Sequence, residues 1–188
     1  MAADISRRQF FRLGLGDVTS SLRPRQDGDG SSRAAPYRPP GALPEDEFLS
    51  TCERCHKCVE VCPDDVIGLL GPAAGPAENT PVLEPDSAPC RWCTDLHCVD
   101  SCPSGALQYG PHDRVAPIGK AVLDLATCLT AEGIACDECA AVCPSDIRAI
   151  AMVGMKPQLV EERCVGCGLC SYHCPSTPTS IRVVAADR

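Results

Sequence analysis

Sixteen cysteines constrain this 188-residue chain more than any other feature of its sequence. They fall into four groups of four, here called motifs I to IV, and a proline follows the last cysteine of every group. Motifs I and IV have the spacing C-x2-C-x2-C-x3-C, motif II has C-x2-C-x4-C-x3-C, and motif III has C-x7-C-x2-C-x3-C. The four groups are Cys52, Cys55, Cys58 and Cys62 (motif I); Cys90, Cys93, Cys98 and Cys102 (motif II); Cys128, Cys136, Cys139 and Cys143 (motif III); and Cys164, Cys167, Cys170 and Cys174 (motif IV).

This spacing is typical of proteins that bind [4Fe–4S] clusters through cysteine thiolates. The closely spaced cysteines let one tight loop bind three irons of a cluster, and the last cysteine, before proline, binds the other cluster of a pair. At four ligands per cluster, the cysteines predict four [4Fe–4S] clusters in two ferredoxin-like pairs. The spacing leaves the pairing open: sequential pairing joins I with II and III with IV, whereas nested pairing joins I with IV and II with III.

Three other uses of the cysteines fit the sequence less well. Zinc sites need only two C-x2-C pairs and require neither a third cysteine nor a following proline. Disulfides belong to oxidising compartments, and no cleavable signal peptide is evident. Residues 52–56 read C-x-x-C-H, the signal for c-type haem attachment, but haem would remove two ligands from motif I. Iron–sulfur binding is therefore the prediction for all four motifs.

Several residues beside the cysteines carry smaller predictions. His56 is expected to be an exposed loop residue next to the first cluster, and Trp92 is expected to pack over a cluster or a neighbouring side chain. All four cysteines are present in each motif, so we expect no histidine ligands; the other histidines are His97, His112 and His173. Gly166 and Gly168 suit a tight cluster loop because glycine tolerates positive φ.

Apolar runs recur around the motifs and predict a repeated unit of cluster loop, short helix, strand, turn and strand. Runs after the motifs are residues 66–70, 106–109, 147–151 and 180–184, and runs before the later motifs are 81–84, 121–124 and 158–161. Each Cys-Pro is expected to begin a short helix, since proline is favoured in the first helical turn. Gly-Pro pairs and Lys156-Pro157 are interpreted as turns between hairpin strands. The fold class is α+β, with two ferredoxin-like dicluster units built of short hairpins and short helices around the clusters.

Charge and composition divide the chain and exclude some functions. Residues 1–44 lack cysteine and are predicted to be a flexible basic arm, followed by dicluster halves at residues 45–115 and 116–188. The net charge is −8, although residues 1–38 hold seven arginines against four acids. An acidic body argues against nucleic acid as a partner.

No apolar stretch reaches the ~20 residues of a transmembrane helix, and no catalytic residues are predicted. Aromatic residues make up only 4% of the chain, so we expect folding to depend on cluster insertion.

The start of the arm bears on localisation. Residues 6–11 read Ser-Arg-Arg-Gln-Phe-Phe, which is similar to a twin-arginine export signal. Such a signal needs an apolar region behind it, and here Arg12 and Asp17 interrupt that region. The expectation is a cytoplasmic protein, with periplasmic residence by twin-arginine export as the alternative.

Residues 37–184 resemble the ferredoxin-type MauM/NapG family of polyferredoxins. The similarity lies in the Arg38-Pro39-Pro40-Gly41-Ala42 segment, in motif II with the Pro-Ser-Gly-Ala-Leu that ends it, and in the widened motif III. The Ser-Arg-Arg start is more like that of the related cytoplasmic ferredoxin-type accessory protein of periplasmic nitrate reductase. Four-cluster subunits similar to this chain use nested pairing, so the resemblance favours nested pairing.

The resemblance implies an electron carrier in nitrate reductase or methylamine utilisation systems. It would relay single electrons between a donor, such as a membrane quinol-oxidising subunit, and a terminal oxidoreductase, such as a molybdenum-containing nitrate reductase. The alternative is an iron–sulfur maturation or assembly factor for a molybdoenzyme. In either role the chain is not expected to be an enzyme.

Overall fold

The computed structural model describes residues 35–186, in which all the regular elements are short. The helices are α1 (Glu45–Thr51), α2 (Lys57–Glu60), α3 (His97–Asp100), α4 (Glu138–Ala141) and α5 (Leu169–Tyr172). The strands are β1 (Gly68–Leu69), β2 (Pro81–Val82), β3 (Gly119–Leu123), β4 (Ile150–Val153), β5 (Lys156–Leu159) and β6 (Ile181–Ala185). Short 3-10 turns span Pro72–Ala77, Pro111–Asp113, Leu129–Glu132 and Glu161–Arg163. Within the described residues, no helix is long and apolar enough to cross a membrane.

The strands form three antiparallel pairs, and two of these pairs build the second half of the chain. Strand β3 pairs with β6, so that Gly119 lies opposite Ala185 and Leu123 lies opposite Ile181. Strands β4 and β5 form a hairpin between them, with Ile150 opposite Leu159. Motif III lies between β3 and β4, and motif IV lies between β5 and β6. Strands β3 and β6 therefore bring the beginning and the end of this half together, and one cysteine motif lies on either side of the central hairpin.

The first half repeats this plan with shorter ladders. Strands β1 and β2 pair between motifs I and II, in the place of the central hairpin. The outer ladder is reduced to an antiparallel bridge between Ala42 and Leu107. The run at 106–109, predicted as a strand, contributes only isolated bridges here, whereas the other predicted runs overlap strands β1 to β6.

The segment before α1 belongs to the core, in contrast to the predicted arm that extends to residue 44. Arg38 is 2% exposed, and Pro39 and Pro40 are fully buried. The Arg38 guanidinium donates hydrogen bonds to Glu45 (2.9 Å from Nε), to Thr80 Oγ1 (2.8 Å) and to the Pro81 carbonyl (2.7 Å). The composition of this segment suggested a linker, but its prolines and arginine fill the space beside β2. Residues 1–34 of the predicted arm, with the Ser-Arg-Arg segment, lie outside the described residues.

The sequence analysis expected a short helix after each Cys-Pro pair, and this expectation is wrong. Each of α2 to α5 lies just before the last cysteine of its motif and carries the third cysteine in its second position. A C-x3-C spacing equals one helical turn, so the third and fourth cysteines of a motif bracket that turn. The residues after Pro63, Pro103 and Pro144 form turns instead, and those after Pro175 are irregular.

A second difference concerns the turn of the β4–β5 hairpin. Lys156 and Pro157, interpreted as a turn, lie inside β5, with Pro157 opposite Met152. The turn is made by Gly154 and Met155, and Gly154 has a φ of +62°. A proline is tolerated in this hairpin because, within residues 35–186, β5 pairs with β4 alone and its other edge has no neighbouring strand.

Two apolar clusters match the two halves. The first contains Phe48 and Leu83 and packs against cysteines of motifs I and II. The second contains Ile150 and Ile181 and packs against cysteines of motifs III and IV. Each cluster is small, and cysteine side chains complete it.

Candidate metal centre

Three cavities in the structure are each bounded by four cysteines. Site A is bounded by Cys52, Cys55, Cys58 and Cys102. Site B is bounded by Cys62, Cys90, Cys93 and Cys98. Site C is bounded by Cys143, Cys164, Cys167 and Cys170. In every case three cysteines come from one motif and the fourth is the last cysteine of another motif.

The exchanged cysteines connect neighbouring motifs. Motif I sends Cys62 to site B, motif II sends Cys102 to site A, and motif III sends Cys143 to site C. The one-turn helix between the third and fourth cysteines produces this exchange, because it carries the chain away from its own cavity. The contacts in the structure therefore join motif I with II and motif III with IV, in contrast to the nested arrangement that the resemblance favoured.

The four remaining cysteines, here called site D, are Cys128, Cys136, Cys139 and Cys174. Burial, together with the proximity of Cys136 and Cys128, raises the pKa of Cys139 to about 11. Cys174 packs against the same apolar cluster as Cys139. Site D is therefore the set that remains once the cysteines of sites A to C are assigned, with Cys139 and Cys174 on the same apolar cluster.

The cluster loops turn through left-handed backbone. In motif IV these positions are Gly166 (φ +68°) and Gly168 (φ +89°). The equivalent positions in motif I are Arg54 and His56, and those in motif II are Trp92 and Leu96, all with positive φ. A non-glycine residue in this region carries strain and persists only where its surroundings impose it. Reading motifs I and II in register with motif IV identifies these four positions. The sequence analysis singled out His56 and Trp92 for other reasons and did not single out Arg54 and Leu96.

Hydrogen-bond donors point at several cysteine sulfurs. Backbone N–H groups donate from Trp92 to Cys90 Sγ (3.4 Å), from Leu107 to Cys102 Sγ (3.4 Å), from Ala121 to Cys164 Sγ (3.3 Å) and from Ala149 to Cys143 Sγ (3.3 Å). The Thr130 hydroxyl donates to Cys128 Sγ at 3.2 Å. Such bonds favour a sulfur that carries negative charge, and they raise the reduction potential of a bound cluster.

Several buried cysteine thiols have raised pKa values. Burial is the main cause, and it raises the pKa to about 12 for Cys90, Cys98 and Cys170 and to about 11 for Cys58 and Cys167. Nearby cysteines contribute to each of these shifts, since thiolates around one cavity repel each other. Iron would supply the positive charge that stabilises the thiolates, with release of their protons.

The shape of the cavities favours a cluster over a single ion. Among the described residues, no group of three or more cysteine, histidine, aspartate or glutamate side chains is gathered closely enough to hold a single metal ion. A zinc ion bound at about 2.3 Å from each sulfur would draw four cysteines together and leave no such hollow. Four cysteines around a hollow, with donors aimed at their sulfurs, fit a [4Fe–4S] cube.

Sequence comparisons agree with this geometry. One family model described as "4Fe-4S dicluster domain" matches residues 51–106 and 89–147, and a second model with the same description matches residues 120–175. The chain is 36% identical to a methylamine utilization ferredoxin-type protein MauM from Methylophilus methylotrophus, over 97% of this chain and 86% of the relative. A MauM from Methylobacillus flagellatus is 41% identical over 83% of this chain and 73% of the relative. The ferredoxin-type protein NapG of Escherichia coli is 36% identical over 95% of this chain and 85% of the relative.

The chain belongs to the MauM/NapG ferredoxin-type family. Its members are ferredoxin-type iron–sulfur proteins, and this chain consists of 4Fe–4S dicluster domains with short helices and small hairpins. The predicted family and the predicted 4Fe–4S chemistry are thereby confirmed.

Two aromatic residues of this MauM/NapG-family chain contribute to the walls of the sites. Trp92 borders site B and packs against the first apolar cluster, in line with its predicted role. His56 borders site A and is only partly exposed, whereas the sequence analysis expected an exposed residue. Its Nε2 is buried and has no hydrogen-bond partner among the described residues. The burial of Nε2 depends on the residues around His56 and is not evident from the motif spacing.

The other three histidines are exposed. His97 begins α3, His112 lies in the Pro111–Asp113 turn, and His173 follows α5. The ring of His173 makes an edge-to-face contact with Tyr172, with 5.2 Å between ring centres.

Proposed function

We propose that this chain carries four [4Fe–4S] clusters, one in each of sites A to D, and relays single electrons between redox proteins. All sixteen cysteines serve as ligands, in the sets defined above. In this proposal residues 45–115 hold sites A and B, residues 116–188 hold sites C and D, and the segment from Tyr37 extends the first half.

The observation that carries the proposal is the exchange of the last cysteines between neighbouring motifs. Cys62 lies at a cavity otherwise bounded by motif II, and Cys102 lies at a cavity otherwise bounded by motif I. This reciprocal exchange is the ligand arrangement of two-cluster bacterial ferredoxins. It requires both motifs to be folded around both clusters, which suits clusters that stay in place and change only their oxidation state.

The residues of the chain would control the clusters in three ways. A bound cluster supplies one-electron chemistry, and the cysteine thiolates hold it. The N–H groups of Trp92, Leu107 and Ala149 stabilise negative charge on the ligand sulfurs, which raises the potential. The apolar walls of sites A to C limit water near the clusters, which lowers the local dielectric constant and also tunes the potential.

The partners we propose are redox proteins: a membrane quinol-oxidising subunit as donor and a terminal oxidoreductase, such as a molybdenum-containing reductase, as acceptor. The names of the MauM relatives refer to methylamine utilization, which makes such a redox system a second candidate context. An acidic chain should bind a basic face on its partner, with an association rate that falls as salt increases.

We propose that the protein resides in the cytoplasm, because charged residues interrupt the apolar region that follows Arg7 and Arg8. The test is a fusion of the first 30 residues to a reporter that is active only after twin-arginine export. No export supports cytoplasmic residence, whereas export that is abolished when both arginines become lysines would contradict it.

One observation favours the second candidate function, that of an iron–sulfur maturation factor. Cys55 of site A is exposed, although it lies among the proposed ligands. An accessible ligand thiolate is open to attack by a receiving protein, which would allow the cluster at site A to be transferred.

Anaerobic purification with iron and sulfide analysis tests the proposal. We expect about sixteen irons and about sixteen sulfides per chain, since each cluster holds four of each. The carrier role predicts that the iron content is unchanged after repeated reduction and reoxidation in the presence of a cluster-free acceptor protein. Loss of about four irons to the acceptor would favour the maturation role, and a folded chain without iron would contradict both.

A further inference from the structure

Several contacts between the two halves lie beside two of the four sites. The backbone N–H of Cys90, at site B, donates a 2.9 Å hydrogen bond to the carbonyl of Cys167, at site C. A ligand residue of one site is thus hydrogen-bonded directly to a ligand residue of another. No covalent path of comparable length joins the two motifs, which are separated by more than sixty residues of sequence.

Side chains and close backbone contacts surround this hydrogen bond. The Ser171 hydroxyl donates a 2.7 Å hydrogen bond to Asp86 Oδ1. Gly168 lies against Pro85 so closely that a Cβ at Gly168 would be 2.4 Å from the Pro85 carbonyl oxygen. These four residues and the hydrogen-bonded pair of cysteines form a set of six that we call the seam: Pro85, Asp86, Cys90, Cys167, Gly168 and Ser171.

A second contact joins the same two sites from another side. The Tyr37 hydroxyl donates a 2.9 Å hydrogen bond to the carbonyl of Val183, which borders site C. Tyr37 also forms a β-bridge with Leu83, which borders site B. All described residues belong to one compact unit, so these contacts are part of a single packed body.

We propose that sites B and C are the inner pair of a linear path A–B–C–D, and that the seam is the point at which the two halves exchange electrons. This inference rests on the proposed function. At each exchange one cluster is oxidised as its neighbour is reduced, and no bond is formed or broken. Sites A and D are then the two ends of the path, where electrons enter and leave the chain.

The order of the sites can be tested by removing one cluster at a time. The double variant Cys93→Ala/Cys98→Ala removes the cluster of site B, and Cys52→Ala/Cys55→Ala removes that of site A. Each anaerobically reduced protein is examined by electron paramagnetic resonance, in which neighbouring reduced clusters broaden each other's signals. Iron analysis of the same samples should give about twelve irons per chain for each double variant.

The order A–B–C–D predicts opposite results for the two variants. Without site B, the cluster at site A has no neighbour, and an unbroadened signal should emerge. Without site A, the three remaining clusters still have neighbours, and no unbroadened signal should emerge. An unbroadened signal on removal of site A, and none on removal of site B, would overturn the order. A parent protein with far fewer than sixteen irons would contradict the proposed function instead, so the two failures are distinguishable.

The seam itself is tested without removing a ligand. In the parent protein we expect slow amide hydrogen exchange in the peptide that contains Cys90, measured by mass spectrometry. Gly168→Ala should accelerate this exchange, because its Cβ would collide with Pro85. Gly133→Ala is the matched control: Gly133 also lies in a cluster loop with positive φ (+76°), but nothing lies within 4 Å of its added Cβ. Equal exchange in the two variants, at equal iron content, would contradict the seam.

Discussion

Arg38 shows how a single polar residue stabilises a protein whose apolar core is small. Its guanidinium lies over the ring of Phe48, with 4.6 Å from Cζ to the ring centre, and forms an ion pair with Glu45. The remaining donors bind Thr80 and the Pro81 carbonyl. Phe48 borders site A, so Arg38 connects α1 and β2 behind the wall of that site. A buried cation is tolerated here because an acid, two neutral acceptors and an aromatic face surround it.

We predict that Arg38→Ala lowers the free energy of unfolding by about 3 kcal/mol, the low end of the cost of breaking a buried ion pair. Glu45 is partly exposed, and water would compensate for part of the loss. The measurement is the urea midpoint of the iron-loaded protein, followed by anaerobic circular dichroism. Arg114→Ala, at an exposed position, is the control and should change the midpoint little. Equal effects of the two substitutions would show that the Arg38 contacts contribute nothing to stability.

At the scale of elements, the ladder between β3 and β6 closes the half that contains sites C and D. Its two faces differ: Ile181 is 2% exposed, and Val184 on the other face is 39% exposed. Ile181 belongs to the second apolar cluster, together with Ile150 and Cys170. Since successive side chains of a strand point to opposite faces, the same strand offers a buried position and a matched exposed one.

Ile181→Ala should therefore destabilise the second half, with a loss of about 2–5 kcal/mol in the free energy of unfolding. Val184→Ala should cost far less, because its side chain is already partly in water. Both variants are compared by urea denaturation, with iron release recorded in parallel. We expect Ile181→Ala to release iron at a lower urea concentration than the parent protein does. Release at the same urea concentration as in the parent protein would mean that β6 does not stabilise the sites.

The one-turn helices show how much of the architecture could be predicted from the sequence. The strands could be located from apolar runs, since a buried strand face needs apolar side chains wherever it lies. The helices α2 to α5 could not be located, because four residues are too few for an apolar period to be recognised. Their positions follow from the cysteines they carry, and the proline after each motif misleads because it is also common in turns.

The cysteine motifs identify the metal chemistry, but their spacing cannot decide which motifs share ligands. The gaps between successive motifs are similar, so both pairings are compatible with the chain. The contacts that favour sequential pairing are long-range, such as the β3–β6 ladder and the position of Cys102 at the cavity of the motif I cysteines. The inward turn of His56 and the burial of residues 38–40 depend on the same tertiary contacts.

At the scale of the whole molecule, we expect the fold to depend on its clusters. Both apolar clusters include cysteine side chains, and burial raises the pKa of several of these thiols to about 11–12. Removal of iron would leave protonated thiols around hollow cavities, with few other contacts to hold the loops. Anaerobic treatment with an iron chelator should therefore abolish the near-ultraviolet circular dichroism. A chelated sample without iron that keeps the parent spectrum and the parent urea midpoint would contradict this expectation.

The central claim is that neighbouring motifs exchange their last cysteines, and iron analysis tests it directly. Cys52→Ala/Cys55→Ala removes the cluster of site A and should leave about twelve irons per chain. Adding Cys102→Ala should leave the iron content at about twelve, because the structure assigns Cys102 to the site already emptied, whereas adding Cys174→Ala should lower it further. The opposite result, with iron lost on adding Cys102→Ala and none lost on adding Cys174→Ala, would contradict the account and indicate nested pairing.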